Sequence, residues 1–270
     1  MRLAVSYDGN SIEPPLVLKT PETVVEGIKV LADAAREAGG NRKLDLAVCG
    51  IAGIFNRERT ALFHSPNLAG WVGYPLKEEM EKTFGVETTL ENDAALAGLG
   101  EAMFGAGRGK EIVVYITVST GVGGARVVRG KIDDRIFGFE PGQQIISDGQ
   151  NLEALVSGTA IRKRFSKKPA EMDDAKILNG LARELAIGLY NSILHWSPDI
   201  VVLGGAVING VNPIPLERIN VHLRELPQVF PELPVIKRSE LGEMSALYGG
   251  LALAHQHTHE LGNLHSEIHT

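Results

Sequence analysis

The sequence predicts an α/β protein built on two sheets, and three observations carry that prediction. Short apolar, β-branched runs alternate with stretches whose apolar residues recur at helical spacing. Glycines gather where these runs end, at Gly50 and Gly53, at Gly121, Gly123 and Gly124, and at Gly204-Gly205. The length of 270 residues suits one large domain or two small ones.

Composition and charge remove other classes. The chain is 44% hydrophobic and 22% charged, with 31 Gly and 13 Pro, which excludes collagen, coiled coil and disorder. Lys+Arg 27 against Asp+Glu 33 gives a net charge of −6, so bulk charge does not favour nucleic acid. One cysteine, Cys49, excludes an intrachain disulfide framework and a Cys-rich zinc site. No apolar run approaches the roughly 20 residues that span a bilayer. The opening MRLAVSYDGN lacks the long apolar core of a signal peptide. The expectation is a cytoplasmic protein with no membrane and no nucleic-acid partner.

Two short strands are expected at 2–6 and 16–19, with Asp8-Gly9-Asn10 as a turn between them. A helix follows, with Thr20 as N-cap, Pro21 in the first turn, and Val24, Ile28, Leu31 and Ala35 as its apolar stripe. Gly39-Gly40 ends it. Residues 44–49 read as a buried strand, with Cys49 as a structural thiol, and 54–74 as loop-rich chain. Next come a helix at 75–84, a strand at 86–90 and a small-residue helix at 92–104 that is able to pack closely. Residues 112–118 read as a central strand, TGVGG as a turn, and 125–128 as its return strand. A long helix is predicted from Asp174 to Trp196, with Leu181, Leu185, Leu189 and Ile193 on its stripe. A strand at 200–203 and helices at 215–226 and 244–257 complete the set. The best boundary is the glycine-rich stretch 105–109, which is also the expected hinge neighbourhood. The polar end, with His255, His257, His259, His265 and His269, reads as a solvated tail rather than a metal site.

Five segments carry candidate chemistry, and each has a plainer reading. In TVSTGVGG, glycines permit positive φ and let backbone N–H groups approach an anion, which suits a phosphate cradle. It is also what a tight β-hairpin needs. In Glu91-Asn92-Asp93-Ala94, Asp93 is placed where a carboxylate can take a proton from a hydroxyl, while Asn and Asp are equally favoured helix caps. Glu140, Gln143 and Glu153 lie in a loop region where carboxylates and amides grip sugar hydroxyls, or are solvated loop charge. Gly204-Gly205 ends a strand and would let a nucleotide lie against backbone, or is an ordinary β–α turn. Ser65-Pro66-Asn67-Leu68, then Gly70-Trp71, is a loop able to reach a ligand, or a structural loop with a packed Trp.

Together and in this order, the five segments resemble the ROK family of sugar kinases, glucokinase-like members of the actin/hexokinase-like ATPase group. The resemblance covers residues 1 to about 255. It rests on Ser65–Trp71, on Asn92–Ala94, on Thr117–Gly124 with Ser119 where Gly is usual, and on Leu203–Ala206 with Ala206 in place of the last Gly. It implies a two-lobed actin/hexokinase-like (ribonuclease H-like) fold. The expected division is 1–110 as the N-terminal lobe and 111–257 as the C-terminal lobe. The last helix would pack back on the first lobe, and 258–270 would be a disordered tail.

The resemblance also implies ATP-dependent phosphorylation of a hexose such as glucose, with Asp93 as general base and Mg²⁺ on the nucleotide. Asn67, Asn92, Glu140, Gln143 and Glu153 would hold the sugar. Thr120, Gly121, Gly123 and Gly124 would face phosphate, and Gly204 and Gly205 the adenosine. Family members are commonly dimers, so a homodimer is implied.

Three departures qualify these expectations. The family's opening strand and Asp-Ile-Gly-Gly-Thr turn have no counterpart, so the first lobe is expected to be incomplete at its N-terminus. The chain is then either a 5′-truncated kinase or a sugar-binding relative impaired in catalysis. Gln143 stands where a His is frequent. Residues 146–151 are short and without Cys, so no zinc is expected and the Glu140–Glu153 loop needs another support.

Overall fold

The computed structural model describes residues 1–40, 42–133 and 135–267, with side chains of the last helix described through Thr258. The chain runs β1 (Arg2–Leu3), β2 (Leu16–Val17), α1 (Val24–Ala38), β3 (Ala47–Ile51), β4 (Ile54–Phe55), β5 (Leu62–His64), α2 (Leu76–Phe84), β6 (Thr88–Asn92) and α3 (Asp93–Met103). It continues with β7 (Ile112–Val118), β8 (Val122–Val128), β9 (Lys131–Ile132), β10 (Ile145–Ser147), β11 (Gln150–Asn151), α4 (Leu152–Val156), α5 (Gly158–Phe165) and α6 (Ala175–Trp196). The remainder is β12 (Ile200–Gly204), α7 (Ala206–Asn209), α8 (Leu216–Glu225), β13 (Val235–Arg238) and α9 (Ser245–Glu267).

These elements form two compact units. The first holds Met1–Gly100, Ile136–Gly138 and the chain from Ala246 onward; the second holds Glu101–Arg135 and Phe139–Ser245. The division falls inside α3, not in the glycine-rich stretch 105–109. That stretch is packed rather than loose: a Cβ on Gly105 would lie 2.1 Å from a Glu101 carboxylate oxygen, and one on Gly107 2.8 Å from Val113.

In the first unit, β1 and β2 pair antiparallel, and β3 and β6 pair parallel over five residues from Ala47↔Thr88 to Ile51↔Asn92. Among the described residues these remain separate two-stranded ladders. The core is Val24, Ile28, Ile51, Phe55, Leu62, Trp71, Leu76, Met80 and Leu90. Helix α1 starts later than its composition suggested, because Thr23, not Thr20, caps it through a bond from Glu26 N. The stretch read as loop contains the β4–β5 hairpin, too short to show alternation.

Helix α9 runs through most of the segment expected as a tail. His255 packs on Gly9 and His257 meets Thr89 Oγ1 at 3.4 Å, so two of the terminal histidines belong to the fold. His269 lies outside the described residues. The expected closeness of the small-residue helix is realised here, since a Cβ on Gly249 of α9 would sit 1.8 Å from the Leu96 carbonyl oxygen of α3. Gly249→Ala is therefore expected to destabilise the protein by about 2 kcal/mol or more, read as a lowered urea midpoint.

The second unit is a five-stranded mixed sheet in the order β13-β12-β7-β8-β9, parallel across β13, β12 and β7 and antiparallel beyond. Strand β7, buried along most of its length, is the central strand that its β-branched run predicts. Helix α6 lays Leu181, Leu185, Leu189 and Ile193 into the core under this sheet, capped by Asp174 and ended by Ser197 at φ +45°. A buried carboxylate, Glu101, organises the chain after α3. It accepts from Ser239 Oγ at 2.6 Å, Ser245 Oγ at 2.8 Å, and the amides of Ala106, Leu241 and Glu240 at 2.9, 3.0 and 3.2 Å. No helix among the described residues is long and apolar enough to cross a membrane.

Candidate active site

The residues expected to do chemistry divide between the two units. In the first, β6 ends directly into α3, and three consecutive polar side chains wrap that helix start. Glu91, 4% exposed, accepts from Asn92 N at 2.7 Å. Asn92 Oδ1 accepts from Ala95 N at 3.1 Å and so caps the helix, while its Nδ2 donates to Gly53 O at 3.0 Å. Asp93 Oδ1 accepts from Ala94 N at 2.9 Å. Asp93 is exposed at the helix start. Burial of its carboxyl still raises the pKa, outweighing the downward pull of the Ala94 N–H and its own N–H. The cap reading is thus realised at Asn92, and Asp93 is left with a second oxygen for other work. Asn92 is more a pin of the turn than an open ligand.

The loop expected to reach a ligand is anchored at its base and open at its tip. Ser65 Oγ donates to Ala52 O at 2.7 Å, and Trp71 is 3% exposed. Asn67 between them is exposed. The Trp71 ring fits because Gly27 has no side chain; a Cβ there would lie 2.4 Å from the ring. Cys49, on β3, has a thiol pushed up to about 12 by burial, which keeps it unreactive.

In the second unit, Ser119, Thr120 and Gly121 join β7 to β8. The first residues of α5 take up their carbonyls. Gly158 N donates to Ser119 O at 2.7 Å, and Thr159 N and Oγ1 donate to Thr120 O at 3.3 and 2.8 Å. With Ser119 N bonded to Gly121 O at 2.8 Å, the amides of Thr120 and Gly121 have no partner among the described residues. Carbonyls turned toward α5 leave these N–H groups facing away from it, as an anion cradle requires.

The sequence reading is corrected in two respects here. Gly123 and Gly124 lie in β8, paired with Thr117 and Ile116, not in the turn. No glycine of this segment has positive φ. Space is the requirement instead: a Cβ on Gly121 would lie 2.5 Å from Glu153 Oε2, and one on Gly124 2.7 Å from Pro141 Cγ and 2.8 Å from Tyr115 O.

Glu153 therefore braces the turn, accepting from Val122 N at 2.8 Å. Glu140 and Gln143 are exposed beside the buried Pro141. The support that this loop needs comes from the β10–β11 hairpin and from Asn151 Nδ2, which donates to Gln143 Oε1 at 2.8 Å. Asn151 also caps α4, accepting from Ala154 N at 2.8 Å, which fixes Glu153 in the helix's first turn. At the end of β12, Gly205 takes φ +88°, and a Cβ there would meet Val118 O at 2.3 Å. Gly204 leaves room for the Tyr115 hydroxyl, 2.2 Å from where its Cβ would be. Among the described residues no three His, Cys, Asp or Glu side chains gather as a metal site.

Sequence reasoning missed Arg59 and gave Glu91 and Asn151 no role of their own. Glu91 left a signal, since a carboxylate inside a buried strand is unusual without a partner. Its partner is Arg59, from the tip of the β4–β5 hairpin, which bonds the second carboxylate oxygen. Arg59 left none.

The profile of the ROK family matches residues 13–142 and 147–257. A glucokinase of Thermotoga maritima is 30% identical over 249 residues, covering 75% of this chain and 77% of that one. A glucokinase of Streptomyces coelicolor is 37% identical over 119 residues, which are 44% of this chain and 36% of its own length. Among solved structures, a ROK family glucokinase from Streptomyces griseus in complex with glucose and AMPPNP matches with a TM-score of 0.77 at 24% identity, over 94% of this chain and 96% of that one. The fold is of the actin/hexokinase-like α/β class, and the chain belongs to the ROK family.

Proposed function

We propose that the protein phosphorylates a hexose such as glucose at the expense of ATP, with Asp93 as the general base. The observation that carries this reading is the Asp93 carboxylate. It stands at the start of α3 with one oxygen that meets no other residue among those described, and burial raises its pKa. The relatives named glucokinase support the substrate class.

The free amides of Thr120 and Gly121 fit phosphate oxygens, and the half-buried Gly205 would be the point of approach for adenosine, since Gly204 is buried against Tyr115. ATP with Mg²⁺ supplies the phosphoryl group and offsets its charge when bound. Mg²⁺ would arrive bound to the ATP phosphates. Asp93 takes the proton of the attacking hydroxyl. Asn67, Glu140 and Gln143 hold the remaining hydroxyls, with Asn92 fixing the turn and Glu153 the cradle.

The test is a coupled assay of this chain with Mg-ATP and a panel of hexoses. Turnover that requires sugar supports the reading. Sugar binding without turnover would instead make the chain a sugar binder that does not transfer phosphate. The cradle has its own check. Gly121→Ala displaces Glu153 and should weaken binding of a non-hydrolysable ATP analogue about tenfold, the loss of roughly one net hydrogen bond. Calorimetry reads this, and an unchanged Kd would remove the turn from the nucleotide site.

A further inference from the structure

We infer that Arg59 is a positioning residue for the Asn92–Asp93 turn, acting through Glu91; this rests on the reading of Asp93 as base. Glu91 has two jobs. One oxygen accepts from Asn92 N at 2.7 Å, and the other is ion-paired with Arg59 Nη1. Both side chains are shielded, at 30% exposure for Arg59 and 6% for Glu91. A charge so placed is strongly oriented by its partner.

Arg59 reaches it from a separate element. It sits in the tip between β4 and β5 with φ +53°, a left-handed conformation that arginine rarely adopts. The turn is over-determined around it. Arg59 N donates to Asn56 O at 3.0 Å, and Asn56 Oδ1 accepts from Thr60 N at 2.8 Å and Ala61 N at 3.1 Å. Strained backbone held by several bonds to aim one side chain is a recurrent property of functional sites. The hairpin's return strand, β5, runs straight into Ser65-Pro66-Asn67. Arg59 thus fastens the hairpin that carries the Asn67 loop to the strand end that carries the base. Asn92 Nδ2 on Gly53 O, just before β4, is the second fastening.

An ion pair that only holds the fold would change stability and leave the chemistry of folded protein alone. A positioning role makes a different demand, because small displacements of a catalytic group are costly in rate. Arg59→Ala is expected to lower kcat about 10–100-fold, with the KM for sugar and for ATP little changed. Contact is through one guanidinium nitrogen, so Arg59→Lys should recover most of the rate. Circular dichroism confirms folding, and Glu91→Gln, which keeps the acceptor for Asn92 N, should fall with Arg59→Ala.

Amide exchange by NMR supplies the readout that needs no turnover. Asn92, Ala94 and Ala95 should exchange faster in Arg59→Ala, while the β7 amides do not. Folded Arg59→Ala with the parental kcat would overturn the inference, as would unchanged protection at Asn92, Ala94 and Ala95. Parent protein that fails to turn over with every hexose sinks the proposed function instead, and the exchange data then decide the inference alone.

Discussion

Asp93→Asn is expected to remove sugar-dependent phosphoryl transfer, lowering kcat by about 10²–10⁴-fold, in a protein that remains folded and still binds sugar. Asparagine has the same shape and keeps an oxygen for Ala94 N, so the helix start survives. It cannot accept the proton of the attacking hydroxyl. The raised pKa sharpens the expectation in two ways. Burial disfavours the ionised form, so the folded chain gains nothing from the charge at neutral pH, and removing it should leave Tm unchanged or higher. Loss of rate without loss of stability separates chemistry from misfolding. In the parent, kcat/KM should fall as pH drops through a value above the ordinary aspartate figure of about 3.9, since the base must be unprotonated. A variant that keeps the parental kcat would remove Asp93 from the mechanism.

The largest loss of stability is expected at Glu101. Its carboxylate is fully buried and receives five hydrogen bonds from three stretches of chain: Ala106, Ser239-Glu240-Leu241 and Ser245. Glu101→Ala leaves these donors facing a void. At about 1–3 kcal/mol for a buried donor without a partner, and with partial relaxation, the cost should be on the order of 4 kcal/mol. Thermal or urea unfolding reads it, and a change below about 1 kcal/mol would contradict the account.

pH gives an independent handle. Burial pushes the Glu101 carboxyl up, but the bonds from Ser239, Ala106, Ser245 and Leu241 win and hold it below its ordinary value. The unfolded chain then binds the proton more readily than the folded one. Glu101's contribution is complete above the unfolded value of about 4.3 and is lost as pH falls through the lower folded value. The Tm gap between the parent and Glu101→Gln should therefore be widest near neutrality and narrow in acid.

Most of the fold was legible in the sequence where pattern and length were strong. The central strand at 112–118, the helix opened by Asp174 and the strand that reaches Gly204 needed only apolar period and caps. The two-residue strands of the β4–β5 hairpin are too short for a period. Helix α9 outran its apolar stripe because nothing between His255 and Gly262 breaks a helix.

At the site, residue types announced themselves but their duties did not. Gly121 and Gly124 are glycines for space rather than for φ, a distinction only the positions of Glu153, Pro141 and Tyr115 reveal. Asn92 reads equally as cap or ligand until Ala95 N and Gly53 O are seen to occupy it. Arg59 and Asn151 act across gaps in sequence, and no local pattern encodes such partners.

The two tryptophans give the protein a pair of built-in optical probes. Trp71 lies four residues beyond Asn67 in the first unit, buried and with its indole N–H unbonded among the described residues. Such an apolar setting makes for blue-shifted emission. Trp196, in the second unit, stands edge-on to Phe139 at 5.0 Å between ring centroids, and Phe139 is the immediate neighbour of Glu140. Each unit thus carries one fluorophore beside one of its expected sugar-facing segments. With Trp71→Phe and Trp196→Phe prepared separately, each of these segments can be followed on its own during a titration with sugar, with no label attached.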